Sequence, residues 1–220
     1  MDYVTTLLVL IPALPLAAAI LTAALGARVL KQNSHLPVVA ALPLAFVLSL
    51  MLCFEVMQAQ PEGELVGSEQ VSVLWTWAAV PDALPAAATG ASAADFRIEI
   101  ALRADGLTAM MLAMVTLIAS LVAVYSVGYM HGDRGYWRFF SYLGLFVFSM
   151  TMLVSVSNFL LLYVFWEAVG VCSYLLIGFW YEKPSAAAAG KKAFLVNRVG
   201  DFGLALALFL IWIHYGTLNF

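Results

Sequence analysis

Four residues of this 220-residue chain have types and spacings that could do chemistry: Glu167, Lys191, Arg198 and Asp201. Glu167 is the only charge in the apolar run Asn158–Phe179, NFLLLYVFWEAVGVCSYLLIGF. At 1.5 Å per residue a helix of that length spans roughly 30 Å, about the hydrocarbon thickness of a bilayer. Glu167 sits near its middle, hence near the midplane. Ionisable groups are costly at that depth, face other helices or water, and mark ion or proton routes. Arg198 and Asp201 are an i, i+3 pair and share one face of the next apolar run, Ala193–His214. Lys191, two helical turns before Arg198, falls on nearly the same stripe. The three make a polar line that starts at one membrane surface and brings Asp201 to a depth similar to that of Glu167.

The chemistry open to such a set is proton binding and release. Burial disfavours a charged carboxylate and an adjacent cation favours it, so a carboxylate that exchanges partners changes its hold on a proton. Glu167 shares its helix face with Gly170, Val171, Tyr174 and Gly178, where the glycines admit another helix or a file of water. Plainer readings stand beside this one. Glu167 could be a hydrogen-bonded residue that only holds helices together. Arg198 and Asp201 could be a local, self-neutralising pair, or one whose opening is coupled to proton movement.

The elements that must position these residues are membrane spans. The chain is 64% hydrophobic and 10% charged, with a mean hydropathy of +0.97. Apolar runs of about 20 residues recur along it, the composition of a polytopic membrane protein. We read an all-α polytopic fold of six transmembrane helices at Thr5–Leu25, Leu36–Met57, Leu107–Tyr125, Phe139–Val156, Asn158–Phe179 and Ala193–His214. The start is not a cleavable signal, because Asp2 stands where a basic region belongs and Thr5–Leu25 is long enough to span. Pro184 and Ala186–Ala189 read as loop.

One long segment, Gln58–Arg103, interrupts the spans. Val71, Val73, Trp75 and Trp77 alternate with Ser72, Leu74 and Thr76. Phe96, Ile98, Ile100 and Leu102 alternate with Arg97, Glu99, Ala101 and Arg103. Both stretches have the period of a half-buried strand. They predict a short outward-facing β-hairpin on the membrane surface between helices 2 and 3, its strands joined loosely through Pro81–Ala94. The chain thus divides into 1–57 (helices 1–2), 58–103 (a periplasmic loop with the hairpin), 104–136 (helix 3 and a cytoplasmic loop) and 137–220 (helices 4–6).

Lys and Arg placement sets the orientation. Arg28, Lys31, Arg134, Arg138, Lys183, Lys191, Lys192 and Arg198 fall on one side, which is therefore cytoplasmic; Arg97 and Arg103 fall on the other. The outer side collects Asp2, Glu55, Glu62, Glu64, Glu69, Asp82, Asp95, Glu99 and Asp105. The N-terminus is then periplasmic and the setting a bacterial inner membrane.

Several function classes are excluded or unsupported. No basic cluster large enough for nucleic acid occurs. Cys53 and Cys172 lie in apolar runs and read as packing residues. No cysteine cluster, Gly-rich phosphate loop or metal-ligand spacing occurs, so no cofactor or metal is expected in this chain. His35, His131 and His214 read as interface histidines. Trp75, Trp77, Trp137, Trp180 and Trp212 read as interface anchors.

The segment Trp166–Trp212, WEAVGVCSYLLIGFWYEKPSAAAAGKKAFLVNRVGDFGLALALFLIW, closely resembles the largest antiporter-like membrane subunit of proton-pumping NADH:quinone oxidoreductase, respiratory complex I. ALRADGLTAMML (Ala101–Leu112) and YGTLNF (Tyr215–Phe220) resemble flanking parts of the same family. The resemblance implies a proton-translocating subunit, driven by electron transfer from NADH to quinone in partners that carry NADH, FMN, iron–sulfur clusters and quinone. It implies that Glu167 matches the glutamate that pairs with a lysine on a seventh helix, and that Arg198 and Asp201 match a sixth-helix pair that gates it. Lys191 would lie near cytoplasmic proton uptake. Partners would be other complex I membrane subunits, above all a neighbouring antiporter-like subunit, together with lipids. Residues 137–220 would begin the first antiporter-like repeat, and the chain would be the N-terminal portion of a longer protein. A multisubunit cation/proton antiporter subunit and a purely structural membrane subunit remain the alternatives.

Overall fold

A computed structural model describes residues 2–58, 69–84 and 94–220. Glu62, Glu64 and most of the Pro81–Ala94 connection lie outside the described residues. Six helices are long and apolar enough to cross a membrane. They are α1 (Tyr3–Leu25), α2 (Leu36–Gln58), α3 (Gly106–Tyr129), α4 (Tyr136–Ser155), α5 (Phe159–Ile177) and α6 (Pro184–Tyr215). A two-stranded antiparallel sheet, β1 (Gln70–Leu84) with β2 (Ala94–Ala104), stands between α2 and α3.

The first four helices form the packed body. α1 lies against α2 and α4, α2 against α3, and α3 against α4. One cluster joins Ala18, Val38, Leu42, Ala123 and Phe140. The other joins Leu8, Ile11, Leu52 and Leu112 to Leu102 of β2. Lipid is as apolar as leucine, so close approach and hydrogen bonds carry the specificity of such contacts. A Cβ at Gly144 of α4 would stand 3.1 Å from the Ala19 Cβ and 3.2 Å from the Pro15 carbonyl of α1. Ser141 donates to the Ala19 carbonyl at 3.2 Å, and Thr116 donates to the Ser49 hydroxyl at 3.4 Å. Pro12 and Pro15 sit inside α1, buried against neighbouring helices.

α5 packs on α4 and α6 packs on α5. These two are far less covered: 11% of their most apolar windows is buried, against 33–44% for the first four helices. Their remaining apolar surface needs lipid or further protein around it.

The sixth helix differs from the sequence expectation. It begins at Pro184 rather than Ala193, so Pro184 and Ala186–Ala189 are helical, not loop. Proline is suited to the first helical turn, and an alanine run propagates a helix better than any other. The helix has 32 residues, about 48 Å against about 30 Å of hydrocarbon, so its first turns project beyond the apolar slab. It ends on Gly216 in the left-handed conformation, φ 67°, which glycine adopts without a Cβ clash.

The hairpin is present, and β1 continues through Pro81 to Leu84, into the stretch expected to be loose. Its faces are also assigned by the fold rather than by apolarity. Ser72 pairs with Leu102 and Val71 with Arg103, and paired residues share a face. Leu102 packs onto the helices, so Ser72 turns inward, where it meets the Thr5 hydroxyl at 2.7 Å. Val71 and Val73 consequently stand on the exposed side, and beyond the register shift that follows Val73, Trp75 and Trp77 are exposed as well.

Two capping residues lock the hairpin to the helices. Asn158, fully buried, accepts from the Leu161 amide at 2.8 Å as the N-cap of α5. Its amide group donates to the Glu99 carbonyl of β2 at 2.8 Å. Asp105 caps α3 by accepting from the Thr108 amide at 2.7 Å and is ion-paired with Arg103. Burial is the largest single influence on Asp105 and opposes its charge. The Thr108 amide, the Arg103 guanidinium and the Thr108 hydroxyl together outweigh it and hold the carboxyl below its ordinary range.

Asn158→Ala removes a cap and an inter-element hydrogen bond at once. It is expected to cost about 2 kcal/mol, read as a lowered thermal midpoint of the purified protein. Asp105 has a depressed folded-state pKa, so its stabilisation is present above the unfolded value and is lost as pH falls through the folded one. The thermal midpoint should therefore fall below about pH 4, and Asp105→Asn should remove that component of the acid dependence.

Candidate functional site

The site is built where α5 meets α6. α5 is started by Asn158 and has 19 residues, about 28 Å, which places Glu167 near its centre. Toward the opposite end of α5 the two helices touch through glycines. A Cβ on Gly190 would come within 3.3 Å of the Gly178 Cα and 3.5 Å of the Tyr174 ring. That contact sets the register in which α6 runs past α5. From Gly190, eleven residues of α6 reach Asp201, and from Gly178, eleven residues of α5 lead back to Glu167. Equal helical rises from one crossing put the two carboxylates at one level.

Arg198 reaches across to Glu167, its Nη1 on Oε2, in an ion pair between the helices. The same Nη1 lies 3.9 Å from Asp201 Oδ2, the i, i+3 neighbour. The guanidinium also rests over the Phe194 ring, 4.7 Å from its centroid. Trp166 Nε1 donates to Asp201 Oδ1 at 3.0 Å. Asp201 is buried, 6% exposed, and Glu167 Oε1 is buried without a hydrogen-bond partner. Tyr163, one turn before Glu167 on α5, interacts with the Glu167 carboxylate.

The structure therefore brings together three of the four sequence-derived residues: Glu167, Arg198 and Asp201. Lys191 lies on the same helix, exposed, two turns toward the basic end. Arg198 serves Glu167 first and Asp201 second, so it does not form the self-contained local pair that the i, i+3 spacing allowed. Of the predicted glycines, Gly178 makes a close helix contact, whereas Gly170 borders a cavity. Tyr174 turns to the Phe194 ring, centroids 5.6 Å apart.

Two contributors were not singled out from the sequence, Trp166 and Tyr163. Trp166 precedes Glu167 in an apolar run and looks like lipid-facing bulk. Only its 35-residue separation from Asp201, closed by the fold, shows that its N–H is used. Beside them opens a cavity of about 690 Å³, bordered by Met150 and Leu153 of α4, Trp166, Gly170 and Ser173 of α5, and Asn197 and Asp201 of α6. Among the described residues, no group of three His, Cys, Asp or Glu side chains gathers as a metal-binding set.

At the basic end, Asp133 accepts from Trp180 Nε1 at 2.9 Å and from the Gly135 amide at 2.6 Å. The Trp180 bond foremost, offset in part by burial and aided by Gly135, Arg138 and Lys183, holds its carboxyl below the ordinary range. This ties the α3–α4 turn to the α5–α6 turn and so steadies the start of α6.

Chemically, the site is one permanent cation between two carboxylates. Arginine does not deprotonate in proteins, so any change of charge here must occur on a carboxylate.

Comparison with known proteins bears on the family and the fold. Residues 91–140 match the family model of the NADH-ubiquinone oxidoreductase (complex I) chain 5 N-terminus. Residues 156–220 match that of the NADH:quinone oxidoreductase/Mrp antiporter transmembrane region. The chain is 44% identical to NADH-quinone oxidoreductase subunit L of Mycobacterium tuberculosis over 211 residues, 96% of this chain and 30% of that protein. It is 48% identical to the Escherichia coli subunit L over 147 residues, 67% of this chain and 22% of that protein. It superposes on a chain of the Mrp complex from Dietzia sp. with a TM-score of 0.69 at 25% identity, covering 96% of this chain and 20% of that one. A chain of an archaeal membrane-bound sulfane sulfur reductase shares the fold, with a TM-score of 0.73 at 18% identity. The chain thus spans less than a third of the length of the two subunit L relatives.

Removing either side of the ion pair should have unequal consequences. Arg198→Ala leaves two carboxylates facing each other and is expected to cost about 1–3 kcal/mol. Glu167→Gln leaves Arg198 with Asp201 and should cost less than about 1 kcal/mol. Thermal unfolding of the two purified variants measures the difference.

Proposed function

The chain belongs to the family of antiporter-like membrane subunits of NADH:quinone oxidoreductase, and from that premise we propose that it moves protons across a membrane, coupled to electron transfer from NADH to quinone in other subunits. The observation that carries the reading is Arg198 held on Glu167 with Asp201 3.9 Å away.

Glu167 would be the residue that takes up and gives up a proton. Its Oε1 has no hydrogen-bond partner and is the atom open to protonation. A proton there neutralises the carboxylate and weakens its hold on the guanidinium. Arg198 then needs to move only about 1 Å to make a charge-assisted hydrogen bond with Asp201. Loss of the proton returns Arg198 to Glu167. The positions of one proton and one cation are thereby linked, and a competing cation brought near Glu167 can drive the cycle. By resemblance, a lysine on a following helix is that cation. Lys191, exposed on the same helix face, would sit near proton uptake from the cytoplasm.

The bias of basic residues to one side supports an orientation with the N-terminus outward, and the setting would be a bacterial inner membrane. The redox cofactors would reside in partner subunits, with a neighbouring antiporter-like subunit beside this one. A second reading, a subunit of a cation/proton antiporter without redox partners, is favoured by the superposition on the Dietzia Mrp complex.

The test is proton pumping by the assembled complex in sealed vesicles. Glu167→Gln should lower protons moved per NADH oxidised more than tenfold, and Glu167→Asp should retain a measurable part. Native pumping by Glu167→Gln would sink the proposal. Cation-dependent proton movement without quinone reduction would favour the antiporter reading.

A further inference from the structure

Trp166 and Glu167 are consecutive on α5, yet each engages a different residue of one face of α6. Glu167 takes Arg198, and Trp166 Nε1 takes Asp201 Oδ1 at 3.0 Å. Arg198 and Asp201 are three residues apart on one helix, a spacing at which opposite charges pair readily. Arg198 nonetheless stays on Glu167, with Asp201 Oδ2 at 3.9 Å. Something must satisfy Asp201 in its place, because Asp201 is buried, 6% exposed, and a buried carboxylate without a donor is costly.

The indole is that donor. It carries one N–H, no acceptor and no charge, and it does not titrate. It therefore satisfies Asp201 without adding a second cation to the site. The charged or titratable groups near Asp201 are Arg198 on its own helix and Glu167 and Tyr163 on α5, while α4 presents Met150 and Leu153 to the same cavity. Among the described residues no other donor serves Asp201. Without the indole, Asp201 has one remedy within reach, which is to draw Arg198 off Glu167.

We propose that Trp166 is a positioning residue of the proton-transfer site, whose N–H holds Asp201 so that Arg198 rests on Glu167. This rests on the proton-translocation reading above. It adds a direction to the exchange: the resting state has Arg198 on Glu167, because the Trp166 hydrogen bond on Oδ1 lessens the pull of Asp201 on the cation. A hydrogen bond to a charged group is worth enough to bias such a partition roughly tenfold or more.

The test uses the full-length subunit in the assembled complex, reconstituted in sealed vesicles, with assembly checked by subunit composition. Trp166→Phe removes the N–H and some volume. Replacing Trp166 with benzothienylalanine removes the N–H and keeps the shape, and replacing it with 5-fluorotryptophan keeps both. Trp166→Phe and the benzothienylalanine protein should move about threefold to tenfold fewer protons per NADH, and the 5-fluorotryptophan protein should stay within twofold of native. Native pumping by the benzothienylalanine protein overturns the inference, because packing alone would then account for Trp166. If that protein pumps natively while Glu167→Gln does not, the translocation reading survives and only the role of Trp166 fails. If Glu167→Gln itself pumps natively, the translocation reading has failed.

Discussion

A guanidinium and a carboxylate at membrane depth cannot remain apart. In a medium without water each would lose its hydration with nothing in return, and the ion pair between Arg198 and Glu167 is what makes both tolerable there. That requirement constrains the rest of the structure. α5 and α6 must run side by side at a fixed register, and the register must put a residue near the centre of a 19-residue helix beside the interior of a 32-residue helix. The Gly178–Gly190 approach and the Asp133–Trp180 tie fix that register at the basic end.

The other end is fixed differently. α5 has no long loop before it: the three residues 156–158 turn the chain from α4 into α5, and Asn158 caps α5 while bonding to β2. Residues 218–220 reinforce this: the Phe159 amide donates to the Leu218 carbonyl at 2.9 Å, and the Phe220 amide to the Ser157 carbonyl at 3.3 Å. Ile98 of β2 packs with Leu208 and Leu218. The hairpin is therefore a brace across the Asn158 end of α5 and the Gly216 end of α6, seated on the four-helix body through Leu102. Tied ends around a lightly packed middle suit the proposed exchange, in which a cation would move by about 1 Å between fixed partners.

Several features were legible in the residues. Spans announce themselves by length and apolarity, and all six fall within a few residues of their expected bounds except the start of α6. There, hydropathy was the misleading guide. Pro184–Ala189 is not apolar enough to mark a span, but it is strongly helix-forming, and a helix need not stop where the bilayer does. The β1 faces were not legible from apolarity either. Alternation correctly predicted a strand, while which side faces the helices was settled by Leu102 on the partner strand, through pairing register.

The sequence by itself determined the spans, the isolated charge of Glu167, and the shared face of Arg198 and Asp201, because each follows from local spacing along one helix. It also determined that these charges lie at matching depth. It left open whom Arg198 would serve, since i, i+3 spacing favours Asp201 and nothing local names Glu167. Only the tertiary structure decided that, by bringing Trp166 to Asp201 and Glu167 to Arg198 across the α5–α6 interface. The choice among partners within reach of one guanidinium is made by distances between helices, and those are fixed by glycine contacts, caps and turns far from the charges themselves.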